Sequence, residues 1–269
     1  MGRQQIKIDD AVEYIVEEKI KDFPHISLKD TRSVGLLNRV DTKYIFHCSA
    51  LPEILGLCTR EYFITTESGQ SRFPYYTIYF DTPAYTMFLA HHNGLGHRYK
   101  LRLREYVGFT TVYAEIKEKF KGKTNKHRIL VTNHGTLDTC LYNRSKKREI
   151  DDFTRLYLPY DPEVLSQTLS IRFTRMTLVH TTKSERITID THLAYSMGRN
   201  HVNLPNLVVA EIKHQGAVPH QQFSHILHDL RIYPTRFSKY CMGMIHIDPS
   251  LKYNRFKNTL LQLERLPHE

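Results

Sequence analysis

The chain has 269 residues, 41% of them hydrophobic and 25% charged, enough apolar material for a sizeable core in one large domain or two small ones. No run reaches the roughly 18–20 apolar residues of a membrane span, and the opening MGRQQIKIDDAVEYIVEE has no apolar signal core, so a cytoplasmic protein is expected. Lys and Arg number 38 against 28 Asp and Glu, a net charge of +10, which fits a polyanionic partner (nucleic acid, phosphate chain or anionic membrane) without choosing among them.

Residues 9–23 place Val12, Ile15, Val16, Ile20 and Phe23 on one face of an amphipathic helix. Ile6 stands where a myristoylation site needs Ser or Thr. Thr42–His47 reads as a strand, and Ser49 as the N-cap of a helix over about 51–59. Tyr75–Phe80 is β-branched and aromatic and ends at Asp81-Thr82-Pro83; its tyrosines read as core rather than as a base-stacking platform. Arg98–Tyr106 and Val112–Phe120 form a hairpin around Gly108. The charged stretch 138–168 suits helical turns on the outside. Ser170–His180, Arg186–Tyr195 and Leu207–His214 are further strands. Phe223, Ile226, Leu227 and Leu230 mark one helix, and Phe256, Leu260, Leu261 and Leu263 another over about 253–266. Many strands without βαβ alternation predict an α+β fold: one domain over 1–269, with an antiparallel β unit over about 35–243 as a sandwich or closed barrel and helices at both ends. Cys48, Cys58, Cys140 and Cys241 form no C-x-x-C pair and read as reduced, mostly buried thiols.

Side chains alternate faces along a strand. Arg98, Lys100, Arg102 and Arg104 therefore point one way, and Tyr99, Leu101 and Leu103 the other. In isolation such a face suits a solvated outer side as well as an anion site. Neighbouring strands repeat the pattern: Glu115, Lys117 and Lys119; Arg186, Thr188 and Asp190; Glu211 and Lys213. Basic residues continue through Lys121, Lys123, Lys126 and Arg128, and Arg172 and Arg175 sit in a further strand. A barrel with a polar lumen accounts for this repetition, whereas ordinary small barrels fill their interior with apolar side chains.

The ordered set Arg39-Val-Asp41-Thr-Lys43-Tyr44, Tyr79-Phe80-Asp81-Thr82, Gly96-His-Arg98-Tyr-Lys100-Leu-Arg102-Leu-Arg104, Glu115-Ile-Lys117, Arg186-Ile-Thr-Ile-Asp190, Glu211-Ile-Lys213 and Phe237-Ser238-Lys239-Tyr240 resembles the VTC domain over about Gly35–Gly243. That domain is the catalytic part of the yeast vacuolar transporter chaperone complex, with bacterial relatives. The resemblance implies the triphosphate tunnel fold, an antiparallel β tunnel with basic residues inside. The Glu-x-Glu-x-Lys opening strand of the triphosphatase and cyclase branches is missing near the N-terminus; the opening strand carries Lys43 instead.

By the same resemblance, Lys43, Arg102, Arg104, Lys117, Arg175 and Arg186 line the tunnel and hold triphosphate. Ser238, Lys239 and Arg236 contact phosphate at the rim, and Glu211 holds Mn²⁺ or Mg²⁺. Arg98 and Lys100 extend the phosphate-binding face, and Lys126 joins it from a loop-like stretch. Ser238 equally suits the N-cap of a helix starting near Lys239, Glu211 an ion pair with a lumen Arg, and Asp190 a brace for Arg side chains. Asp41 and Asp81 suit strand and turn orientation. The implied activity is an ATP-dependent polyphosphate polymerase, with ATP and polyphosphate as partners and no specific nucleic acid. A separately encoded membrane protein is a further partner by family analogy. The alternatives are a triphosphatase of the same fold and a non-catalytic polyanion-binding module.

Overall fold

Apolar and charged side chains alternate along the strands, and the sheet is built so that each set has its own side. The computed structural model describes residues 10–33, 39–215 and 222–266. Its strands are β1 (His25–Ser27), β2 (Arg39–His47), β3 (Tyr62–Thr66), β4 (Phe73–Asp81), β5 (Arg98–Tyr106), β6 (Thr111–Phe120), β7 (Lys123–Thr132), β8 (Ser166–His180), β9 (Glu185–Met197), β10 (Asn200–Leu204) and β11 (Leu207–Gln215). Its helices are α1 (Asp10–Lys21), α2 (Leu51–Cys58), α3 (Thr86–His92), α4 (Leu137–Tyr142), α5 (Arg144–Tyr157), α6 (Gln222–Asp229), α7 (Lys239–Ile247) and α8 (Lys257–Glu264).

The main path of the sheet runs β2-β11-β9-β8-β4-β5-β6-β7, and every neighbouring pair along it is antiparallel. The sheet is curled but unclosed, with β2 and β7 as the two ends of the path. A short parallel pair, β1 with β3, extends it beside β8.

Two apolar cores cover the outer side. Val208, Ala210 and Ile212 of β11, with Ile187 and Ile189 of β9, pack against α1, α2 and α6 through Val16, Ile20, Leu55 and Phe223. Leu101 and Leu103 of β5, with Ala114 and Ile116 of β6, pack against α4 and α5 through Leu137, Cys140 and Phe153. Each Val, Leu, Ile or Phe among them contributes roughly 1.5–3 kcal/mol when fully buried. A third core lies on the inner side, where Ile45, Leu169, Ile171, Tyr195 and Val209 seat α7. The helix therefore fills part of the concavity and leaves the rest to the charged side chains. The Asp81 carboxylate fastens this arrangement: it accepts from the backbone N–H of Met87 and Phe88 at 2.9 Å, at the start of α3, and from Tyr240 Oη of α7 at 2.6 Å.

Several elements differ from the expectation. Ile15 is exposed, because the buried stripe of α1 runs through Val16 and Ile20 in steps of one helical turn and Ile15 falls beside it. Ser49 does not cap α2; a 3₁₀ turn over Cys48–Ala50 precedes that helix, and the His47 ring accepts from the Ser49 backbone N–H. The stretch around Lys126 is strand β7 rather than a loop. It pairs only with β6, so much of its surface stays wet and its apolar alternation is weak. Strands β1, β3 and β10 and helix α3 had no sequence-based assignment. All four cysteines are free and buried. Among the described residues no helix is long and apolar enough to cross a membrane. Asp9, Ile6 and residues 35–38 lie outside the described residues.

Gly243 sits where α7 touches the sheet. A Cβ there would lie 2.4 Å from Tyr195 Cδ1 and 2.7 Å from Leu169 Cδ2, far inside van der Waals contact, with both neighbours buried. Gly243→Ala is expected to destabilise the protein by about 1–3 kcal/mol through overpacking, read as a fall in Tm by differential scanning calorimetry.

Candidate functional site

Residues directly opposite one another on neighbouring strands share a face. Lys100, Lys117 and Lys126 stand opposite one another across β5, β6 and β7. The adjoining row holds Tyr79, Arg102, Glu115 and Arg128. On the other flank Lys43 stands opposite Glu211 and Lys213 opposite Arg186. These side chains, apart from Glu115, face a cavity of about 300 Å³, which Ser238 and Lys239 complete from the N-terminus of α7. Among the described residues, eleven Lys and Arg line it against one carboxylate, Glu211.

Two buried carboxylates stand behind this surface. Glu115 accepts from Arg102 Nε at 2.7 Å, lies 3.9 Å from Arg104 Nη1, and pairs with the Lys126 ammonium. Arg102 also donates to Tyr79 Oη at 3.0 Å. Asp190 takes a two-point contact from Arg175, at 2.5 and 2.7 Å, and a third bond from Lys239. Fixed forks of this kind hold an Arg in one orientation better than a single contact does. On the α7 side, Lys100 Nζ donates to Ser238 Oγ at 2.9 Å, and Lys43 Nζ to the Phe237 carbonyl at 3.0 Å. Ser238 Oγ also accepts from the Cys241 backbone N–H at 3.3 Å, which caps the helix.

Burial and crowding shift the acidities. Burial pushes Lys100 and Lys239 down despite their partners. Lys117 falls well below the ordinary ammonium value, first through burial and then through Arg102, Lys43 and Arg104. Burial lowers Lys126 and Lys213 to about 8, partly offset by Glu115 and Glu211 respectively. Arg102 and Arg175 move the other way: burial would lower them, but Glu115 and Asp190 hold both guanidinium groups charged. Burial would raise Glu211, yet Lys213, Lys43, Lys117 and Arg175 keep it well below the usual carboxylate range. A carboxylate that stays ionised, 3.7 Å from Lys213, is a suitable donor for a hard divalent ion. Among the described residues no group of three His, Cys, Asp or Glu forms a protein cage for a metal. A cation held by Glu211 would complete its shell with phosphate oxygens and water, the usual manner of Mg²⁺.

Lys43, Lys100, Arg102, Arg104, Lys117, Lys126, Arg175, Arg186, Glu211, Ser238 and Lys239 all line the cavity. Arg98 and Arg236 do not. The Arg98 guanidinium turns to the Leu95 carbonyl at 2.6 Å, and Arg236 is exposed; with Lys119, on which both act electrostatically, they form a basic rim. Arg172, in the same strand as Arg175, is exposed and lies over the Tyr76 ring. Tyr75 and Tyr79 face the cavity instead of serving only as core. Lys213, Arg128 and Tyr106 also line it and were absent from the expected site. Each is two residues from an expected one (Glu211, Lys126, Arg104), so strand parity alone could have found them.

Residues 38–247 match the VTC domain. No curated protein matches the chain. Among solved structures, a candidate adenylate cyclase from Vibrio parahaemolyticus is 12% identical, with 76% of this chain and 97% of that one covered and a TM-score of 0.44. A protein from Pyrococcus horikoshii is 14% identical at the same coverage, with a TM-score of 0.43. A candidate adenylyl cyclase from Hippeastrum, described as having a dominant triphosphatase activity, is 12% identical over 76% of this chain and 94% of that one, with a TM-score of 0.47.

The lowered lysines set a pH dependence. Lys126 and Lys213, lowered to about 8, are largely neutral at pH 9.5 and must take up protons to attract an anion. Sulfate has a fixed charge over this range, so its affinity reports the protein alone. Its Kd, measured by isothermal titration calorimetry, is expected to rise at least about tenfold between pH 7 and pH 9.5, and to rise less in Lys213→Met.

Proposed function

The chain belongs to the VTC domain family, and from that premise we propose that it is a polyphosphate polymerase, moving the γ-phosphoryl group of ATP onto a phosphate chain held in the cavity. The observation that carries this reading is the eleven-to-one excess of cations over carboxylates in a concave lining. An internal phosphate of such a chain carries about one negative charge, and the lining offers fixed donors at many points along it. Arg supplies paired N–H groups to phosphate oxygens, and Lys a point charge.

The chemistry asks for alignment and neutralisation more than for a base. A terminal oxygen of the chain attacks the γ-phosphorus of ATP. A new P–O bond forms as the bond to the β–γ bridging oxygen breaks, and ADP leaves with that electron pair. The attacking oxygen is already anionic at neutral pH, so no proton has to be removed. Arg102, Arg104 and Arg175 are the residues to meet the charge that spreads over the transferring group. Glu115 and Asp190 hold Arg102 and Arg175 in place beforehand, so little reorganisation remains for the reaction itself. Lys43, Lys100 and Lys239, gathered around Ser238, suit the phosphates of the chain, aided by the positive end of α7. Glu211 would hold Mn²⁺ or Mg²⁺, which would supply further neutralisation of phosphate charge.

Incubation with ATP and Mn²⁺ is expected to give ADP and a phosphate polymer resolved on a gel; free phosphate alone would mark a hydrolase. Arg102→Lys keeps the charge and loses the fork, so turnover is expected to fall far more than tripolyphosphate affinity. Glu211→Gln is expected to keep a near-normal Tm and bind tripolyphosphate, while turnover drops at least about 100-fold, roughly 2.7 kcal/mol, and recovers in part at high Mn²⁺.

A further inference from the structure

Phosphate binding explains the cations of the cavity but not its aromatic rings. Tyr75 and Tyr106 line it side by side as opposite residues on β4 and β5, with ring centroids 4.8 Å apart. Tyr113 on β6 is not part of the lining but backs it, its ring 5.6 Å from that of Tyr106 and at 73° to it. The Arg128 guanidinium, itself on the lining, lies over the Tyr113 ring at 4.3 Å. At the inner end, Arg104 and Arg175 lie over Tyr75 at 5.3 and 5.2 Å. The rings thus lead outward from the guanidinium groups that suit a γ-phosphate.

The outer part of this row differs from the inner part in burial. Tyr106 and Tyr113 are half-buried and Arg128 is exposed, whereas Arg104 is buried. Tyr106 and Tyr113 lie toward the ends of β5 and β6 that the turn around Gly108 joins, and Arg128 stands beside them on β7, opposite Glu115. The opposite end of β5, at Arg98 and Lys119, has the basic rim described above. Half-buried rings and a planar guanidinium at the edge of a phosphate cavity offer flat, accessible surface, which suits a nucleobase and not a phosphate.

We propose that Tyr106, Tyr113 and Arg128 form the nucleobase site of the cavity, stacking the base of an incoming nucleoside triphosphate while its phosphates reach inward to Arg104 and Arg175. This rests on the polymerase reading for the identity of the substrate. The platform selects for a base over no base: it separates ATP from inorganic polyphosphate, which competes for the same cations. Stacking surface reads the area of the base rather than its edge, so ATP and GTP bind with similar affinity and a pyrimidine triphosphate more weakly.

The test is direct binding, by isothermal titration calorimetry, of ATP, GTP, CTP and tripolyphosphate to the full chain without metal. Tyr113→Leu is expected to raise the ratio of the ATP Kd to the tripolyphosphate Kd about tenfold, in line with the loss of a base–aromatic stack. Tyr113→Phe, which keeps the ring, is expected to leave that ratio unchanged, which separates stacking from loss of fold. Tyr106→Leu should act as Tyr113→Leu does. An unchanged ratio in both Leu variants, or an equal loss for ATP and tripolyphosphate, would overturn the proposal. Binding is read apart from turnover, so a wild-type protein that makes no polymer but shows the shifted ratio would sink the polymerase reading and leave the base site standing.

Discussion

A surplus of positive charge, most of it at least half-buried, dominates this structure. Side chains from seven strands and one helix bring eleven Lys and Arg residues to one small cavity with a single carboxylate on its lining. Removing a charge from water is costly unless it is paired, and the shifts record that cost. Lys100, Lys117, Lys126, Lys213, Lys239 and Arg104 all have pKa values held below the ordinary ones, with burial the leading cause. The two outer cores and the α7 core supply the apolar burial that offsets it. An anion entering the cavity would relieve the same repulsion, so the lining favours a polyanion.

The cations divide into two kinds. Arg102 and Lys126 are braced by Glu115, and Arg175 and Lys239 by Asp190. Those four are positioned before any ligand arrives. Lys117 differs: among the described residues no hydrogen bond or ion pair meets its ammonium, and it faces Lys100 and Lys126 across the sheet. Braced guanidinium groups suit a fixed transition-state geometry, and an unbraced lysine suits a chain that must slide. Asp81 serves a third purpose, since by tying α3 to Tyr240 it sets where Ser238 and Lys239 meet the cavity.

Much of this was legible in the sequence because a strand records its two faces in alternate residues. The parity of Arg102 and Arg104 against Leu101 and Leu103 puts them on opposite faces, and in the structure the two arginines line the cavity while the two leucines lie in an outer core. Lys126 was harder, because an edge strand with a wet outer surface loses apolar alternation and looks like a loop. Arg98 obeys the parity but lies beyond the cavity, since parity gives the face of a sheet and not the distance along it. The inner core was hidden for another reason. Helix α7 is buried along nearly all its length, so it has no polar face and no amphipathic period. Pairings such as Asp190 with Arg175, or Tyr106 with Tyr113, depend on strand order, which local pattern does not encode.

The central claim is that the cavity passes a phosphoryl group to a phosphate chain rather than to water. The partition of label from γ-labelled ATP in a single turnover, with a short polyphosphate primer and Mn²⁺ present, tests it most directly. Label is expected in lengthened polyphosphate, with one ADP formed for each phosphoryl group incorporated. Label released wholly as free phosphate, with the primer unchanged in length, would contradict it.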